Sequence, residues 1–259
     1  MRKPRLNTLR LIHRQGEPVA TLLLDRPDKL NALSAEMLAE IPVACRWLTD
    51  NDEIRVVVVR GAGRAFCAGF DLGDFSGLSD EVSPRDTADL GRLAAEALTD
   101  VRPLTVGAFH GHCVGGGLVL AAACDLRLAS DDVRFSIPEV DLGIPLAWGG
   151  IPRLVRELGP AITKELVLTC RPFGADEARE LRFLNRVVPA DELVGAAEAL
   201  AAELASKPGF ALRATKTHVN AVLEDIAGTR RNANDADTLV AAMADEESQA
   251  MSRRYLRNH

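Results

Sequence analysis

The chain has 259 residues, 47% of them apolar and 4% aromatic, and carries a net charge of −6. That length suits one large domain, or one domain with a helical appendage, and the apolar share can fill a core of Val, Leu, Ile and Ala, which excludes a disordered chain. The acidic balance argues against a nucleic-acid partner, which wants a basic face, but leaves room for an anionic ligand held by a few local Arg or Lys side chains.

In chain order, Thr8 to Ile12 and Val19 to Leu24 read as two strands around a Gly16-Glu17-Pro18 turn. Ser34 then looks like the N-cap of a helix reaching Asp50, with Glu36 in its first turn and Pro42 placed where it should kink or split the helix. Ile54 to Val59 is a short β-branched run that reads as a strand buried on both faces. Phe66 to Leu72 follows a Gly61-Ala62-Gly63 turn, and residues 73–84, rich in Gly, Ser and Asp, read as a mobile loop. A helix is expected over Arg85 to Asp100, a buried strand over Leu104 to Phe109, and an apolar helix from Gly115-Gly116-Gly117 to Cys124. Asp125 to Ala129 and Val133 to Ile137 read as strands, and beyond Pro138 the pattern is helical throughout. Leu193, Ala197, Leu200 and Leu204 mark one helix face, ended by Pro208-Gly209, and residues 210–252 read as further helices. The plan is an α/β core followed by a C-terminal helical region.

The five cysteines, Cys45, Cys67, Cys113, Cys124 and Cys170, form no C-x-x-C, so reduced thiols in a cytoplasmic setting are expected. Apolar stretches are broken by Gly, Asp or Arg well short of the roughly 18 residues a membrane span needs. Met1-Arg2-Lys3-Pro4 is not followed by the apolar stretch of a signal peptide.

Three segments share one feature, a strand end that leaves backbone amides available: Phe66-Cys67-Ala68-Gly69-Phe70-Asp71-Leu72, His110-Gly111-His112-Cys113-Val114-Gly115-Gly116-Gly117, and Ile137-Pro138-Glu139-Val140-Asp141-Leu142-Gly143. Unpaired amides at a helix start carry partial positive charge and can hold a developing oxyanion. The glycines read equally as tight helix–strand packing. Together with Asp25-Arg26-Pro27-Asp28-Lys29-Leu30-Asn31-Ala32-Leu33, Gly61-Ala62-Gly63-Arg64-Ala65 and Ala123-Cys124-Asp125, the segments resemble the enoyl-CoA hydratase/isomerase (crotonase) family in order and spacing over most of the chain.

The resemblance implies a crotonase (ClpP/crotonase-like) spiral of ββα units over residues 1–195 and a C-terminal helical trimerisation region over 196–259. It implies an acyl-CoA thioester substrate, with coenzyme A entering as part of that substrate, no separate cofactor and no metal, and a homotrimer or hexamer. It places an oxyanion hole at the N–H groups of Ala68 and Gly116. It places the acyl-CoA site at Lys29, Leu30, Ala32, Ala68, Gly69, Phe70, Asp71, Leu72, Gly116 and Trp148. Hydratases of the family carry two catalytic glutamates. The second falls on Glu139, and the first, two residues after the glycine triplet, falls on Val119. Valine neither accepts nor donates a proton, so single-acid proton transfer of the isomerase kind is implied, with hydration lacking the first acid or a non-catalytic acyl-CoA binder as alternatives.

Other residues have plainer readings. Asp71 can cap a helix instead of touching substrate. His110 and His112 lack a third ligand at metal spacing and suit packing or a backbone hydrogen bond. Cys67 and Cys113 read as small apolar residues. Trp148 can narrow the acyl pocket or pack against a helix, Asp141 should face away from Glu139, and Lys29 and Arg26 can meet CoA phosphates or solvent. The ending Arg253-Arg254-Tyr255-Leu256-Arg257-Asn258-His259 departs from the family's Lys-Arg-x-Pro-x-Phe tail.

Overall fold

A computed structural model describes residues 2–71, 73, 83–229 and 234–258. Strands β1 (Leu9–Ile12) and β2 (Val19–Leu24) pair antiparallel, and β2 pairs parallel with β3 (Val56–Gly61). Between them runs α1 (Ala35–Asp50), started by the Ser34 hydroxyl, which accepts from the Met37 N–H at 3.1 Å. The helix continues through Pro42 without splitting. After α2 (Pro84–Asp100) come β4 (Leu104–Phe109), the short β5 (His112–Val114), and α3 (Gly116–Ala122). The expected loop over 73–84 falls almost wholly outside the described residues.

β6 (Leu126–Ser130) and β7 (Arg134–Ser136) follow, then α4 (Gly150–Thr169), β8 (Phe173–Gly174), α5 (Ala175–Glu180) and β9 (Arg186–Val188). The last four elements are the helices α6 (Leu193–Ala205), α7 (Gly209–Ala227), α8 (Asp235–Ala244) and α9 (Glu246–Asn258). β8 and β9 correct the expectation of helices alone after Pro138. Two and three residues are too short to show a strand period, and these strands exist because they add to ladders already built: β9 pairs with β6 and β8 with β7.

The main sheet runs β1-β2-β3-β4-β6-β9, parallel except at the β1–β2 edge, and a second sheet runs β5-β7-β8. Side chains alternate across a strand, so β3 feeds two cores. Val57 and Val59 pack in the larger one, which holds Met37, Leu38 and Leu48 of α1 and Leu98 of α2. Val56 and Val58 join Val106, Ala108 and Leu128 under Leu193, Ala197, Leu200 and Ala201 of α6. With helices on both faces, the strands are apolar throughout, as a parallel sheet requires. Among the described residues, no helix is long and apolar enough to cross a membrane.

Candidate active site

The glycine triplet sits where β5 turns into α3, and each glycine leaves space that something else fills. A Cβ on Gly115 would lie 2.5 Å from Glu139 Oε1, one on Gly116 2.2 Å from the Trp148 ring, and one on Gly117 2.8 Å from Cys67 Cβ. The triplet therefore brings Glu139 and Trp148 against the start of α3. Gly116 opens that helix, and its N–H has no acceptor among the described residues.

Glu139 lies in a turn that its own carbonyl organises by accepting from Leu142 N–H (3.1 Å) and Ile144 N–H (2.9 Å). The residue keeps some exposed surface, but its Oε2 is sealed from solvent and has no hydrogen-bond partner among the described residues. Burial raises the carboxyl from the usual 4.5 to about 7, opposed by a hydrogen bond from its own backbone N–H. A carboxyl poised there can both take and return a proton near neutral pH.

The carboxyl opens onto an apolar cavity of about 60 Å³, lined also by Phe70, Gly116, Val119, Trp148, Leu239 and Met243. Val119 is buried and faces the same space as Glu139, with no second carboxylate on the lining among the described residues. Asp141 is exposed, away from this cavity. Leu239 and Met243 come from α8, which is tied to the Trp148 loop by the Gly149 N–H donating to Asp235 at 2.7 Å. Sequence reasoning missed both residues, because nothing local marks a C-terminal helix as covering a site built from the chain's middle.

Other expected positions divide. The Ala68 N–H, expected as an oxyanion donor, donates instead to the Leu30 carbonyl at 3.0 Å. Two residues on, Leu33 bonds to Gly69 O and to Asp71 N–H, so the Phe70 N–H points away from Leu33 by strand alternation. Phe70 lines the cavity, while Ala68, Gly69 and Asp71 are not on its lining among the described residues. Asp71 pairs with Arg26 at 2.9 Å and accepts from the Gly73 N–H at 3.2 Å. Arg26 also donates to Ala32 O at 2.6 Å, so its guanidinium is occupied in stitching this segment. Lys29 is exposed, and Leu30 and Ala32 are half-buried beside it. Leu72 lies outside the described residues.

Asn31 was not singled out, yet it is the buried clamp of this region. Its side chain accepts from Arg26 N–H (2.9 Å) and donates to Ala62 O and Ala65 O (2.8 Å each). His110 bonds the Gly63 carbonyl at 2.9 Å, as its plainer reading expected, and no cluster of metal-ligating groups occurs among the described residues. Cys67 is buried and pushed up to about 12 by desolvation, and Cys113 is raised well above its usual value by the same cause, which fits their reading as small apolar residues.

The sequence profile of the enoyl-CoA hydratase/isomerase family matches residues 14–258. The chain belongs to that family. It is 33% identical over 211 residues to a crotonyl-CoA hydratase of Syntrophomonas wolfei, covering 81% of each chain. It is 36% identical over 222 residues to a peroxisomal Delta(3,5)-Delta(2,4)-dienoyl-CoA isomerase of Arabidopsis thaliana, covering 81% of this chain and 80% of that one. An enoyl-CoA hydratase/isomerase from Mycobacterium paratuberculosis superposes with a TM-score of 0.88 at 27% identity, over 96% of this chain and 99% of the other. The fold is thus the crotonase ββα spiral, and membership places the protein among enzymes of the hydratase/isomerase class. A hydratase and an isomerase resemble it almost equally, so overall similarity does not choose between the two reactions.

Proposed function

We propose that the protein binds an acyl-CoA thioester and moves a proton within it, most concretely shifting a 3-enoyl-CoA to the 2-enoyl isomer. The observation that carries this reading is that Glu139 is the one carboxyl among the described residues lining an apolar cavity, with Val119 on the same lining. In the proposed reaction the Glu139 carboxylate takes a proton from C2. The electron pair moves into the thioester, and the resulting dienolate oxygen accepts from the N–H group of Gly116. The neutral acid then returns the proton at C4, leaving the double bond between C2 and C3. No water is consumed, so no second acid is needed. Lys29, which is exposed, is the residue proposed to meet a CoA phosphate. Five unpaired, buried cysteines support a cytoplasmic setting.

The second reading is hydration without the first acid, which similarity to the crotonyl-CoA hydratase favours. The test compares two rates on one enzyme preparation: isomerisation of a 3-enoyl-CoA and hydration of a 2-enoyl-CoA. Faster isomerisation is expected, and faster hydration would replace this reading with the second.

A further inference from the structure

We infer that Trp148 is a fixed wall that limits the acyl group to a short chain; this deepens the acyl-CoA reading above and rests on its binding half. The indole is packed directly against two glycines. A Cβ on Gly91 of α2 would fall 1.9 Å from the ring, and one on Gly116 of α3 would fall 2.2 Å from it. The indole N–H donates to Ala88 O at 3.0 Å, one turn before Gly91, and Phe70 meets the ring edge-on at 5.9 Å.

The backbone is fixed as well. Trp148 has φ +61, a left-handed conformation that a bulky residue adopts only when its surroundings enforce it. Its carbonyl accepts from the buried Arg153 at 3.2 Å, and the next N–H donates to Asp235. The ring therefore cannot swing aside to admit a longer chain.

The space left is small. The cavity beside the ring is about 60 Å³, so the wall leaves room for a short acyl group and stands in the way of a long one. Met243, on the same lining, is flexible and can yield, whereas a ring packed against two backbones cannot.

The experiment measures calorimetric affinities for butyryl-CoA and octanoyl-CoA in the wild type, Trp148→Ala, Gly91→Ala and the double variant. The wild type should bind butyryl-CoA at least about tenfold more tightly, the scale on which pockets reject extra methylenes. Trp148→Ala should abolish or invert that ratio. Gly91→Ala should weaken both ligands and lower the Tm, because its new methyl displaces the ring. In the Trp148→Ala background the same change should leave affinity alone and raise the Tm, since alanine is the better helix former.

Equal affinities in the wild type, or an unchanged ratio in folded Trp148→Ala, would overturn the inference. Should Trp148→Ala fail to fold, wild-type butyryl-CoA affinity in Gly91→Ala overturns it equally. Chain-length preference without turnover of any enoyl-CoA would sustain this inference and sink the catalytic reading. Binding of neither ligand would sink both.

Discussion

Glu139 is an acid whose sealed oxygen lacks a partner among the described residues, and its titration gives two linked expectations. Burial raises its folded pKa to about 7, above the unfolded value, so the native state holds the proton more tightly. Its contribution to stability is complete below about 4.5 and is lost as pH rises through about 7. Glu139→Gln removes that loss, so the variant should exceed the wild type by ~1–3 kcal/mol at pH 8 and by little at pH 4. Urea unfolding at the two pH values measures this, and a difference independent of pH would contradict a buried ionisation. The same substitution should cut turnover by the ~10²–10⁴ of a lost general base while acyl-CoA affinity holds. In the wild type, kcat/KM should rise with pH to a plateau with its midpoint near 7, because the base form does the work. Val119→Glu places a second acid on the cavity and should raise hydration of a short 2-enoyl-CoA. The gain is modest because small misplacements are costly, and stability falls because an acid replaces a buried apolar group. A folded variant that binds CoA thioesters and hydrates no faster would show that residue 119 does not stand where the first acid would act.

At the scale of elements, two helical prolines meet different fates. Pro42 lies within α1 as one continuous helix, whereas α4 is broken ahead of Pro160 at Gly159, with φ +77 and ψ +165. Proline disfavours helical angles in the residue before it, and glycine gives that residue a way out that Ile41 does not have. The Gly159 conformation is open to almost nothing but glycine, so Gly159→Ala should cost ~1–3 kcal/mol although a Cβ there meets no atom within 4 Å. Gly195 in α6 has equally open space and no positive φ, so Gly195→Ala should gain ~0.5–1 kcal/mol from helix propensity alone. Thermal unfolding of the two variants should therefore give shifts of opposite sign. Shifts of equal sign would mean that backbone conformation at Gly159 is not what limits that position.

At the scale of the whole molecule, α7 leaves Val219, Val222 and Ile226 exposed at helical spacing, with Phe210 exposed near its start. Such a stripe on a water-facing helix marks a contact surface. Self-association through it, as a trimer or hexamer, is the expected outcome in sedimentation at micromolar concentration. Val222→Glu should shift the population toward monomer, and an unchanged mass would place the interface elsewhere. The same C-terminal helices also reach inward, since Leu239 and Met243 of α8 close the cavity over Glu139. Substitutions there should register in acyl-CoA affinity as well as in stability.

The sequence by itself determined most of the elements, because they rest on local physics. α1 begins at a serine cap, β3 and β4 are β-branched or apolar runs, and α6 shows its buried face at three- and four-residue steps. It also supplied the identities Glu139 and Val119, which the family resemblance sets against the two acid positions of hydratases. Tertiary structure alone decided the rest. β8 and β9 are strands only by virtue of their neighbours in the ladder. The Ala68 amide, expected as an oxyanion donor, is spent on the Leu30 carbonyl, because the fold brings those two segments together. Trp148 stood between pocket wall and packing residue until its ring was found gripped by Gly91, more than fifty residues earlier in the chain, which makes it both. The physical reason is the same in each case: hydrogen-bond partners and excluded volume are set by which surfaces the folded chain brings together, and spacing along the chain carries no record of them.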